Sequence, residues 1–278
     1  MTMSMTQANV MVRGPFEAAA GEGLMLVDPD AATLTDRSLR AVPETGDGLL
    51  RARAGTIYLD GAGEPVIQVL GSFFRPGATG LYRPALSCRA LRPCLFDDGE
   101  TRLVPSRTGV SLAFVTLSDK GAAGKRTDES GPLIADMLRQ AGQASYVRGQ
   151  IIPDDAGLLR ALLTDLALFQ GFDLIVTTGG TGLGPRDVTP EATAAVLDRR
   201  LPGFETAMLM ASLAKTPHGA ISRAMAGTLG ASVIVNLPGS PKAVRENFAA
   251  VLPALRHALD KLHGDPADCA AAAAGAAR

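Results

Sequence analysis

Three almost unbroken apolar runs constrain the second half of this chain: 111–117 (SLAFVTL), 173–178 (DLIVTT) and 232–237 (SVIVNL). A strand with one wet face alternates polar and apolar residues. A run that is apolar at nearly every position reads instead as a strand buried on both faces, which requires a parallel sheet covered by helices. The intervening segments supply such helices. Leu133, Ile134, Met137, Leu138 and Ala141 fall on one face of a helix over about 130–141, with Ser130 as its cap and Gly142 as its stop. Leu158, Leu159, Leu162, Leu166 and Phe169 recur at helical spacing after a strand over 144–152. Thr189 and Pro190 open another helix, and the last runs over 242–263. The pattern predicts an α/β fold over 108–264: a three-layer α/β/α domain with a mostly parallel sheet.

Residues 1–107 have a different texture, rich in Gly and Pro, with Arg but no Lys. Short runs at 56–59 and 65–70, separated by turn pairs such as Asp60-Gly61 and Asp98-Gly99, predict a small, β-rich N-terminal module. Its function is not legible in these residues. The Ala-rich tail, 265–278, has no amphipathic pattern and is expected to be disordered.

Composition excludes some roles. A formal net charge of −1 argues against a broad nucleic-acid surface, although a local site for a small anion would not show in the total. Cys88, Cys94 and Cys269 form no CxxC pair, so reduced thiols are expected. The start lacks a basic stretch followed by an apolar one, and no run approaches the roughly 20 apolar residues that span a bilayer. These features lead us to expect a soluble, cytoplasmic protein with no membrane partner.

The chemistry concentrates in 177–191 (TTGGTGLGPRDVTPE), where four glycines occupy six positions, 179 to 184. A Gly-rich loop at the carboxyl end of a strand in an open α/β sheet lies where ligands bind, and without side chains its backbone can approach phosphate. It is neither the dinucleotide fingerprint nor a phosphate loop ending in Lys-Ser/Thr. His218, His257 and His263 have no zinc spacing.

This string resembles the signature of the MogA/MoaB family of molybdopterin adenylyltransferases. Further matches follow in family order at Val115-Thr-Leu-Ser-Asp119, Ser130-Gly-Pro132, Ile152-Pro-Asp-Asp155, Leu201-Pro-Gly203, Ser222-Arg223 and Asn236-Leu-Pro-Gly-Ser-Pro-Lys242. Together they cover about residues 110–264. The resemblance implies a homotrimer that transfers AMP from ATP to molybdopterin, with Mg²⁺ required and pyrophosphate released. It implies catalytic roles for Asp154 and Asp187, which as hard carboxylates would also hold the Mg²⁺. It places substrate-binding roles on Ser118, Asp119, Thr178, Gly179, Gly180, Thr181, Gly182, Ser222, Gly239, Ser240 and Lys242, with Arg223 available to phosphate charge. The family also contains MoaB-type proteins. The rival reading is therefore a catalytically altered pterin-binding or scaffold protein whose N-terminal half recruits other molybdenum cofactor enzymes. Plainer roles stand beside these: Asp154 or Asp155 as a helix cap, Asp187 as an ion-pair partner of Arg186, and Ser240 as an N-cap.

Overall fold

The computed structural model describes residues 9–28, 38–43, 49, 52–77, 80–97 and 99–265. The expectations for Asp98, for Cys269 and for most of the tail fall outside the described residues.

The apolar runs form the centre of a six-stranded sheet. Its order is β11 (Ala144–Ile152), β10 (Val110–Leu117), β12 (Leu174–Thr178), β15 (Ser232–Leu237), β14 (Ala226–Leu229), β13 (Arg199–Arg200). The first four strands are parallel, and β14 and β13 join antiparallel at one edge. Successive residues alternate between two cores. Leu112, Leu174, Val176, Val233 and Val235 meet α2 (Ser130–Gln140), α5 (Pro202–Leu213) and α6 (Pro241–Leu262). Ala113, Val115, Ile175 and Ile234 meet α3 (Ala156–Thr164), the π-turn Asp165–Phe169 and α4 (Thr189–Ala194). Both faces being covered explains why these strands carry no polar alternation. A short helix, α1 (Asp119–Ala122), follows β10.

The caps differ in detail from the sequence reading. Asp128, not Ser130, accepts the first amides of α2, from Ser130 and Gly131 at 3.0 Å each. The Ser130 hydroxyl instead donates to Gly239 O at 2.9 Å. Thr189 lies inside α4 and donates its hydroxyl to Gly179 O at 2.8 Å.

The N-terminal region is β-rich, as expected. Strands β1 (Val10–Arg13), β4 (Ser38–Pro43), β3 (Gly23–Val27), β7 (Tyr82–Ala90), β6 (Pro65–Pro76), β5 (Ile57–Leu59) and β9 (Glu100–Ser106) pair in that order and close into a seven-stranded barrel. Closure leaves no open sheet edge. A two-stranded ribbon, β2 (Phe16–Ala18) with β8 (Cys94–Phe96), lies beside it. Its core includes Tyr58, Leu26, Leu39, Ile67, Leu86 and Leu103, all essentially inaccessible. Cys88 and Cys94 are free thiols, and burial pushes both up from the ordinary thiol range.

Barrel and sheet meet at the amino ends of the parallel strands. Arg53 donates to Gly171 O (2.9 Å) and Ala231 O (3.3 Å), Gln170 exchanges two hydrogen bonds with the Ser72 backbone, and Tyr146 donates to Leu70 O (3.2 Å). Phe74 stacks on Phe169 with ring centroids 5.1 Å apart, and Ala54 joins the core under α3. At the centre is Asp173, whose carboxylate is 4% exposed. It accepts from Ser111 N and Oγ at 2.8 Å each and pairs with Arg107 and Arg53. Strands of five to eight residues separate this seam from the carboxyl ends of the sheet, roughly 17–26 Å.

Candidate active site at the sheet switch point

Strand β10 is flanked by β11 on one side and β12 on the other. The loops leaving β10 and β12 therefore part at this point, opening the crevice in which open α/β sheets bind ligands. A cavity of about 270 Å³ occupies it, and Ser118, Arg126, Asp128, Ser130, Thr178 and Ser240 are among its lining residues. Two helix N-termini border it: α2 begins at Ser130, and α6 begins at Pro241 behind its N-cap Ser240. Helix N-termini carry partial positive charge and favour an anion.

Several anticipated residues converge here. Ser118 follows β10 and caps α1, accepting from Gly121 N at 3.0 Å. Thr178 ends β12 and donates to Pro238 O at 2.8 Å, fastening the Gly-rich loop to the Pro238-Gly239-Ser240 loop. Gly239 packs so closely that a Cβ there would come within 3.3 Å of Gly179 Cα. Ser240 accepts from Ala243 N at 3.3 Å, so it is the N-cap while also lining the cavity. Lys242 is exposed in the first turn of α6.

Beside the cavity lie three carboxylates. Asp119 and Asp154 exchange backbone-to-carboxylate hydrogen bonds, Asp154 N to Asp119 Oδ1 at 3.1 Å and Asp119 N to Asp154 Oδ2 at 3.3 Å. Asp155 caps α3 by accepting from Leu158 N at 2.7 Å, so that duty does not fall on Asp154. Arg186 pairs with Asp119 through both carboxylate oxygens at 2.6 Å, not with Asp187. Asp187 accepts from Gly184 N at 2.7 Å. Burial raises the Asp154 carboxyl above its ordinary range. The negative charges of Asp119 and Asp187 add to this, opposed by the Asp119 amide and Arg186.

The four glycines each have an internal reason. Gly179 and Gly180 adopt positive φ, +98° and +63°, a region open chiefly to glycine. Gly182 and Gly184 wrap the Asp187 carboxylate, and a Cβ at either would approach Oδ2 to 2.8 or 2.9 Å. The amides of Gly179 and Gly184 are already spent on Leu237 O and Asp187. Gly182 and Gly184 thus seat Asp187, while the Gly179 amide ties the loop to the end of β15. Thr181 is buried beneath it, 5% exposed. Arg223 is also engaged by this loop, and Ser222 faces a separate cavity of about 250 Å³ between α5 and α6. Arg126 and Asp128 line the crevice yet sit in a loop without periodicity. The only signal in the sequence is Asp128 standing two residues ahead of a helix start.

Fold and site together define an open α/β domain with a polar crevice at its switch point, bordered by two helix N-termini, and an acidic cluster alongside. Comparison with known proteins narrows this: the model of the family described as "Probable molybdopterin binding domain" matches residues 113–257, and the chain belongs to that family. It is 37% identical over 157 residues to a molybdopterin adenylyltransferase of Helicobacter pylori strain J99, covering 56% of this chain and 89% of that one. It is 40% identical over 164 residues to gephyrin of Dictyostelium discoideum, of which it spans only 23%. A solved structure of the molybdopterin biosynthesis enzyme MoaB from Thermus thermophilus superposes with a TM-score of 0.53 at 44% identity, covering 56% of this chain and 98% of that one. The matches at 56% of this chain leave the barrel's role unassigned.

Proposed function

We propose that this chain acts in molybdenum cofactor biosynthesis by transferring AMP from ATP to molybdopterin. The observation that carries the reading is the adjacency of two unlike subsites: an anion crevice under two helix N-termini, and the Asp119–Asp154–Asp187 cluster beside it. The molybdopterin phosphate suits the crevice at its two helix N-termini, where Ser118 and Ser240 offer hydroxyls and Arg126 a positive charge beside the Asp128 and Glu129 carboxylates that also line it. Its oxygen attacks the α-phosphorus of ATP. The new P–O bond forms as the bond to pyrophosphate breaks, and pyrophosphate leaves. The attacking oxygen is already anionic, so this chemistry makes no demand on a histidine base.

Mg²⁺ fits the donor set. Among the described residues no three acidic, His or Cys side chains converge as a metal cage, but Mg²⁺ commonly takes one or two carboxylates and completes its shell with water and phosphate. Asp154 and Asp187 would hold it, and a cation there would offset both the burial that chiefly raises Asp154 and the smaller contributions of the Asp119 and Asp187 charges. Bound there, the ion supplies charge neutralisation for the triphosphate.

A homotrimer is the assembly we propose, and other molybdenum cofactor enzymes are the partners that the barrel would meet. Among the described residues no helix is long and apolar enough to cross a membrane.

Calorimetric titration tests the division of the site. Molybdopterin binding should persist when Mg²⁺ is chelated, whereas ATP binding should weaken sharply. Loss of molybdopterin binding with the chelator would refute it.

A further inference from the structure

We propose that Arg223 is a positioning residue of the transfer reaction, acting through Asp187 without meeting substrate; this rests on the function proposed above. Residues 183–186 are exposed, and Leu183 at the loop tip is 68% exposed, so apolar burial does not hold this segment in place. Arg223 does. Its Nε donates to Gly182 O at 2.8 Å and its Nη2 to Asp187 O at 2.7 Å, so one guanidinium bridges both ends of the loop. Its own amide donates to Thr181 O at 3.0 Å. The remaining terminal nitrogen pairs with Glu191 on α4, which ties the clamp to the helix that follows. Within the clamped loop, Asp187 N donates to Gly184 O at 2.9 Å while Gly184 N returns a bond to the Asp187 carboxylate. The carboxylate's direction is thus set by a loop closed at its base by one planar fork. A lysine could keep the charge facing Glu191 but could not span both carbonyls.

The test uses the full chain with Arg223→Lys and Arg223→Gln, each in the native background and in Asp187→Asn. Arg223→Lys should lower kcat about 10- to 100-fold, the scale of a misplacement near 1 Å, with KM for both substrates little changed. In Asp187→Asn the same change should cause no further loss, because both act through one group. Independent additive losses, or a raised KM for ATP at unchanged kcat, would overturn the proposal in favour of direct phosphate contact. A second readout does not depend on activity. Trypsin cleavage after exposed Arg186 should accelerate in both Arg223 variants while far-UV circular dichroism stays native. Unchanged cleavage would overturn the clamp itself. Absence of transfer in the native chain would sink the functional reading and leave the protease result to judge the clamp alone.

Discussion

At the scale of single residues, the site balances charge against burial. Asp154 is raised by burial and by the neighbouring carboxylates, so the folded protein holds its proton more tightly than the unfolded chain does. Its favourable contribution to stability is therefore present at low pH and is lost as pH rises through the raised value. Near neutrality the ionised group works against the fold. Asp154→Asn should accordingly match or exceed the native Tm at pH 7, with the difference shrinking toward pH 4, while adenylyl transfer falls strongly. Scanning calorimetry at the two pH values checks this. A lower Tm at pH 7 would show that Asp154 serves the fold. The sequence could nominate Asp154 and Asp187 through the family string alone. It could not separate Asp154 from Asp155, because either aspartate can cap a helix; the geometry gives the cap to Asp155. Nor could it show that Gly182 and Gly184 make room for the Asp187 carboxylate, since that contact depends on how the loop folds back.

At the scale of elements, legibility followed periodicity. Strands β10, β11 and β12 and helix α6 were readable to within a residue or so, because burial on two faces or on one helical stripe leaves a repeating pattern. Helix α5 was not, and the reason is physical: Phe204, Met208, Leu209, Met210 and Leu213 surround it with apolar groups, so no stripe stands out. The short antiparallel strands β13 and β14 gave too few residues to set a period. The barrel's strands were partly visible, but closure depends on pairing between distant segments, such as β1 with β9, that carries no local mark. The seam between barrel and sheet was equally hidden, since it brings Arg53, Arg107 and Asp173 together across the chain. Burial would raise Asp173, but Arg107, Arg53 and Ser111 outweigh it and hold the carboxyl below its ordinary range. Its contribution to stability is present above the unfolded carboxyl pKa and lost as pH falls through the lower folded value. Asp173→Ala leaves two guanidinium groups facing an emptied site and should destabilise the protein by about 3 kcal/mol. Urea unfolding at pH 7 measures it, and a change under about 0.5 kcal/mol, typical of an ordinary surface substitution, would show that the seam does not depend on this ion cluster.

At the scale of the whole molecule, the two ends of the sheet are divided between two tasks. The barrel grips the amino ends of the strands, and the crevice opens at their carboxyl ends, so the barrel does not supply a wall to the crevice of its own chain. Cutting the chain at 108 to isolate the α/β segment 108–264 would remove both Arg53 and Arg107 from Asp173. The proposed trimer needs a contact surface, and α5 offers a candidate. Leu209, Met210, Leu213 and Ile221 are 41%, 66%, 46% and 54% exposed along α5 and the turn after it, an apolar face suited to burial against another copy. Light scattering should give the mass of a trimer for the native chain and a smaller species for Met210→Glu. An unchanged mass in the variant would place the contact elsewhere.

The central claim concerns the reaction, and one measurement meets it directly. The full chain is incubated with molybdopterin, ATP and Mg²⁺, and adenylylated pterin and pyrophosphate are quantified together. The account predicts both products in equal amounts from the native chain, and both at a sharply lower but measurable rate from Asp187→Asn, which still binds molybdopterin. A native chain that binds molybdopterin yet forms no adenylylated pterin and releases no pyrophosphate would contradict it.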